Sequence, residues 1–133
     1  MSSKALRFAL VITGPVYGTQ SAADAYRFAC ALVEQGHILN QVFFYQAGVH
    51  NANPLVQPAS DEFNLHQAWV ALAKEQNVAL DVCVAAALRR GVCDESSAQQ
   101  AGLVHWNLTA PFRLSGLGSL AKAAITADRV VQF

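Results

Sequence analysis

Apolar positions along this chain follow two alternating rhythms, short unbroken runs and longer stretches spaced three or four residues apart. Residues 6–13 form a nearly continuous β-favouring run, the pattern of a strand buried on both faces. The turn Gly14-Pro15-Val16-Tyr17-Gly18 ends it. Ala22, Tyr26, Ala29, Leu32 and Val33 then recur at helical spacing up to Gly36, with Thr19 or Ser21 placed as the cap. Residues 39–45 predict a second strand, and 46–64, rich in Asn, Pro, Ser and Asp, predict a long loop of the kind that usually serves function. Leu65, Ala68, Trp69 and Leu72 line a second helix, capped by Ser60 or Asn64, and residues 78–82 predict a third strand. An alanine-rich, helix-favouring segment follows directly and breaks at Gly91. Asp94 caps a short helix that ends at Gly102, and residues 103–108 predict a fourth strand. Ser115-Gly116-Leu117-Gly118 opens a last helix, and residues 129–133 close the chain as a strand. Strands alternating with helices predict an α/β fold, one domain with three α/β/α layers around a mostly parallel sheet of about five strands.

Composition narrows the function. With 133 residues, 53% of them hydrophobic and 14% charged, the chain can bury an extensive single core. Nine Lys and Arg balance nine Asp and Glu, so the broad positive field that binds phosphate backbones is missing and direct nucleic-acid binding is not expected. Low charge also leaves apolar surface over for a protein partner, which predicts an oligomer. The apolar run after Lys4 and Arg7 is too short for a signal-peptide core, and no segment is long enough to span a bilayer. Three cysteines, an odd number without a dense framework, suit a reducing compartment, so a cytoplasmic protein is expected.

The chemistry centres on Cys83, where the third strand meets the alanine-rich segment. In such a fold the functional groove lies at the carboxyl ends of the strands. A thiolate at this junction faces the first unpaired N–H groups of a helix, whose partial positive charge favours ionised sulfur. Arg89 and Arg90 invite a simpler explanation, but Arg90 begins about 10 Å along the axis, where a unit charge in water contributes only about 0.4 kcal/mol. The helix start, at about 0.3–1 kcal/mol, is the better activator, and the arginines suit an acidic partner or a structural pairing. The bland alternative for Cys83 is a small hydrophobe buried between strand and helix.

Other candidates are weaker. Cys30 sits among Phe28, Ala29, Ala31 and Leu32 as a core filler, and Cys93 could resolve an intermediate at Cys83 but lacks dithiol spacing. His37, His50, His66 and His105 are scattered without metal-ligand spacing. The turn Thr13 to Thr19 is similar to a phosphate-cradling loop only in outline, because Pro15 removes a donor and no Lys follows the second Gly. Ser60-Asp61-Glu62 could supply a general base, although a capping or turn role is simpler. Topology alone makes Tyr17, Asn51, Asn53, Arg89 and Arg90 candidates for the groove lining.

Several motifs together carry a resemblance. They are Thr13-Gly14-Pro15 with Tyr17-Gly18-Thr19-Gln20; Val42-Phe43-Phe44-Tyr45 with Gly48-Val49 and Asn51-Ala52-Asn53; Pro58-Ala59-Ser60-Asp61-Glu62-Phe63; Cys83-Val84-Ala85-Ala86-Ala87-Leu88-Arg89-Arg90-Gly91; Ser115-Gly116-Leu117-Gly118; and Asp128-Arg129-Val130-Val131. In this order, over residues 6–133, the chain resembles the DsrE family of sulfur-relay subunits. The resemblance implies that Cys83 accepts sulfane sulfur as a persulfide from a TusA-like carrier and passes it to a TusE-like acceptor. That acceptor serves 2-thiolation of the tRNA wobble uridine. It also implies TusB-like and TusC-like partner subunits in a dimer of heterotrimers. Thiol exchange of this kind needs neither metal nor organic cofactor. Two other readings stay open, a non-catalytic scaffold subunit and a flavodoxin-like module for a small ligand. Relatives in the family also serve sulfur oxidation.

Overall fold

A computed structural model describes residues 4–133. Its elements are β1 (Arg7–Ile12), α1 (Ser21–Glu34), β2 (Ile38–Phe44), a 3-10 helical turn (Gln46–Ala52), α2 (Leu65–Gln76), β3 (Ala79–Cys83), α3 (Val84–Arg89), α4 (Glu95–Gln100), β4 (Phe112–Ser115), α5 (Leu117–Thr126) and β5 (Arg129–Gln132). All strands pair in parallel in one sheet, in the order β4-β3-β2-β1-β5. This is the α/β architecture the alternating pattern predicts. From β1 to β4 the chain steps one way across the sheet, so right-handed crossovers place α1 and α2 on one face. The return from β4 to β5 carries α5 to the other.

Parallel strands covered on both faces should be largely apolar, and β1, β2 and β3 are, with Gln41 and Asp81 as the buried polar exceptions. Ala9, Leu10, Ile12, Val42, Phe43, Phe44, Leu80 and Val82 have no exposed surface. Trp69 of α2 fills the space between helices and sheet, edge-on to Tyr26 at 5.3 Å and to Phe44 at 5.4 Å between ring centres. Register brings the carboxyl ends together, with Ile12 opposite Phe44, Phe44 opposite Val82, and Cys83 opposite Ser115. The thiol therefore sits on the rim where function is expected in such folds.

Several expectations need correction. Residues 103–108 form no strand, because the free edge of β3 pairs instead with Phe112–Ser115. Leu103, Val104 and Trp106 are exposed, and the backbone is tied to Cys93: Asn107 N and Leu108 N donate to its carbonyl at 3.1 and 2.9 Å. The long segment after β2 is not wholly loop, since its first seven residues make the 3-10 turn. Neither Thr19 nor Ser21 caps α1; their hydroxyls bond each other at 3.1 Å, and Gln20 is the N-cap residue without a side-chain bond. The other caps are as expected: Asn64 accepts from Gln67 N and Asp94 from Ser97 N.

The 3-10 turn is fastened to the end of β1. Tyr45 N donates to the Ile12 carbonyl at 2.9 Å, and Gly48 lies so close that a Cβ there would meet the same oxygen at 2.0 Å. Asn51, fully buried, donates to the carbonyls of Gly14 and Gly48 and accepts from the Trp69 indole at 3.2 Å. A Gly48→Ala variant should lose about 3 kcal/mol or more, because backbone rather than a flexible side chain must yield. Urea unfolding of the two proteins measures this, and equal midpoints would refute the packing role.

Candidate functional site

Cys83 ends β3 and serves as the N-cap residue of α3, with φ −58° and ψ 119°. Only 4% of it is exposed, yet it lines a cavity of about 500 Å³. Tyr45 and Gln46 form one wall, Ala85, Ala86, Arg89 and Arg90 another, and Gly116 and Leu117 at the start of α5 close it. Two arginines and no carboxylate stand in this lining. Arg90 is steadied by a 3.1 Å bond from Nη1 to the Ala86 carbonyl.

Two helix starts open into the cavity, and neither carries a side-chain cap. The Cys83 side chain makes no capping bond to α3, and the N-cap of α5 is Gly116, which has no side chain. In α2 and α4, by contrast, side chains of Asn64 and Asp94 occupy first-turn donors. The first-turn N–H groups beside the thiol are thus left without a side-chain acceptor, and their partial positive charge favours anionic sulfur.

Alternation along β3 places Asp81 on the same face as Cys83. A bare carboxylate two residues away would oppose a thiolate, but this one is tied up. Asp81, fully buried, accepts from Arg113 Nε at 2.5 Å, from Ser119 Oγ at 3.0 Å and from the Gln41 amide. The same bond and charge raise the pKa of the Arg113 guanidinium. The pair presents no net charge toward the thiol.

Of the predicted lining residues, Arg89 and Arg90 share the cavity with Cys83 and the others do not. Tyr17 lines a separate cavity of about 580 Å³ with Thr19, Gln20, Glu62 and Phe63, where partial burial and then the Glu62 charge raise its phenol pKa. Asn51 faces inward, as the bolt between Gly14, Gly48 and Trp69. Asn53 accepts from Leu55 N at 2.9 Å and steadies a turn. Glu62 does the same by accepting from Ala59 N at 2.9 Å. His37 accepts from Leu6 N at 3.0 Å, and His66 pairs with the Asn51 carbonyl at 2.8 Å while stacking on Phe112. Cys93 points its thiol at the His105 carbonyl and borders a third cavity, with Leu103 and Trp106.

Sequence reasoning missed Tyr45, Gln46, Gly116 and Leu117. The last two were within reach, because the start of any helix following a strand beside β3 must open onto the same rim. Gln46 was not. It holds φ +50°, a left-handed conformation that costs a non-glycine residue about 1–2 kcal/mol and leaves no mark on the amino-acid pattern.

Cys30 is half-buried in α1 beside Tyr26. Burial first, and then the neighbouring Cys30 thiol, push the Tyr26 pKa up to about 12. Folding therefore favours the neutral phenol, a contribution intact below the ordinary pKa of 10.0 and lost as pH rises through about 12. Stability should decline between those values, and the decline should be shallower in Tyr26→Phe. Thermal melts at stepped alkaline pH check this; identical slopes would contradict it.

A parallel-sheet rim bearing one thiol in an arginine-lined cavity defines a class, and comparison with known proteins makes it specific. Residues 6–133 match the DsrE/DsrF-like family, and the chain belongs to it. It is 60% identical over 128 residues to "Sulfurtransferase TusD" of Proteus mirabilis (strain HI4320), covering 96% of this chain and 98% of that protein. That relative bears out the expectation of a sulfur-transferring enzyme. The fold is similar to that of the ychN protein from E. coli, with TM-score 0.73 and 23% identity over 96% of this chain and 99% of that one.

Proposed function

We propose that this chain receives sulfane sulfur on Cys83 from a TusA-like carrier and hands it to a TusE-like acceptor. The acceptor in turn serves 2-thiolation of the tRNA wobble uridine. The observation that supports this most is the setting of Cys83, the one thiol of three on the strand rim inside a cavity lined by Arg89 and Arg90.

The exchange balances without a redox partner. The Cys83 thiolate attacks the outer sulfur of the carrier persulfide, the carrier's S–S bond breaks, and the carrier's own sulfur leaves as a thiolate. Cys83 now bears the outer sulfur. The acceptor thiolate then attacks that atom, the new S–S bond breaks, and Cys83 returns to its thiolate. Each step exchanges one S–S bond for another, so no cofactor enters. Anionic sulfur on either side is favoured by the two helix starts, which carry no side-chain cap.

Partners are part of the proposal. Val104, Leu55 and Ile125 are 78%, 72% and 85% exposed, apolar surface that TusB-like and TusC-like subunits would cover. The balanced charge fits a subunit that leaves the tRNA to proteins downstream. Among the described residues no helix is long and apolar enough to cross a membrane.

Reconstituting the relay with the partner subunits tests the reading. Cys83→Ser should assemble normally and deliver no sulfur to the acceptor, whereas full delivery by this variant would reduce the chain to a scaffold. Arg89→Glu should slow loading from the carrier roughly 3- to 10-fold at low salt, with the gap closing as salt is added. A salt-independent deficit would argue against electrostatic docking.

A further inference from the structure

We propose that the Gln46 carboxamide donates a hydrogen bond to the outer sulfur of the Cys83 persulfide and so holds that atom for transfer; this rests on the persulfide reading above. Only two non-glycine residues among those described have positive φ, Gln46 and Asn77, both at 50°. Asn77 has an ordinary explanation. It closes α2, donating its N–H to the Ala73 carbonyl, and asparagine tolerates the left-handed region better than most residues.

Gln46 has no such excuse. It opens the 3-10 turn directly after an extended Tyr45 (φ −130°, ψ 156°), a place that glycine would fill without strain. The strained residue persists because its surroundings over-determine it. Tyr45 N is bonded to Ile12 O, Gly48 N donates back to Tyr45 O at 2.8 Å, and Gly48 is wedged on the Ile12 carbonyl. Strain maintained in this way is a mark of functional sites. Here the strained residue is exposed and lines the cavity that holds Cys83.

The chemistry at that place calls for such a group. A persulfide extends one S–S bond beyond Sγ, about 2.05 Å, and carries its charge on the outer atom, away from the floor of the cavity. Helix N–H groups lie beside the inner sulfur, so the outer one needs a donor from an opposite wall. A carboxamide supplies an N–H without a full positive charge. It orients the outer sulfur and still releases it when the acceptor thiolate attacks and Cys83 leaves.

Wild type, Gln46→Gly, Gln46→Asn and Gln46→Glu should be compared in the assembled complex. Three readings are needed: persulfide loading at Cys83, alkylation of the unloaded thiol by iodoacetamide, and the thermal midpoint. In Gln46→Gly we expect a midpoint no lower than wild type and alkylation within about twofold, but loading slowed roughly tenfold, as for loss of one hydrogen bond to a charged atom. Gln46→Asn, which keeps the amide and tolerates the backbone, should fall between, and Gln46→Glu, which offers only acceptors and a negative charge, should be slowest. Loading at the wild-type rate in Gln46→Gly, or parallel losses of loading and alkylation, would overturn the inference. Should Gln46→Gly fold poorly, equal rates for Gln46→Glu and wild type overturn it as well. A wild-type complex that takes up no sulfur on Cys83 at all instead defeats the persulfide reading itself.

Discussion

Everything at the site depends on how the segment after β2 is seated on the end of β1. The Ile12 carbonyl takes the Tyr45 N–H, and Gly48 closes over the same oxygen with no room for a side chain. Asn51 completes the seat, its amide spanning Gly14 and Gly48 while its carbonyl oxygen meets Trp69. A fully buried asparagine is tolerable only because three partners satisfy it. That fixed seat turns Tyr45 and Gln46 into a rigid wall facing Cys83, where an unanchored loop would leave the thiol open to bulk solvent.

The opposite wall follows from topology. Because β4 lies beside β3, α5 begins next to the thiol, and Gly116 leaves its first-turn donors without a side-chain acceptor. The face that Cys83 shares with Asp81 would be electrostatically wrong for a thiolate, but Arg113 neutralises that charge where it stands while Ser119 and Gln41 hydrogen-bond the carboxylate. Only the carboxylate of this pair is buried, the Arg113 side chain being 67% exposed. In the proposed relay its value is local neutrality under a thiol that has to become an anion.

Much of this was legible in the sequence, for physical reasons that also mark where reading fails. Strands covered on both faces must be apolar, so β1, β2 and β3 announced themselves, and Asn64 and Asp94 signalled the caps of α2 and α4. Cys83 stood out because a change of hydrophobic period marks a strand-helix junction. The strand β4 did not, since its four residues include Arg113, committed to Asp81, while the more apolar 103–108 stretch is exposed over 103–106 and pairs with no strand. Tyr17 was placed on the correct rim but in the wrong cavity. With the order β4-β3-β2-β1-β5, β1 stands two strands from β3, about 10 Å away, and strand order is not written in local pattern. Asn51 read as a groove-lining residue because its segment follows β2 onto the rim, whereas its side chain turns inward to Gly14, Gly48 and Trp69. The left-handed Gln46 is set by a tertiary contact at Gly48 and has no local signal at all.

The central claim is that sulfur in transit rests on Cys83, and the most direct measurement is mass mapping of persulfides, trapped by alkylation, on the complex purified during active sulfur transfer. The account predicts one added sulfur on the peptide bearing Cys83, with Cys30 and Cys93 unmodified. Added sulfur on Cys93, or none on Cys83 while transfer proceeds, would contradict it.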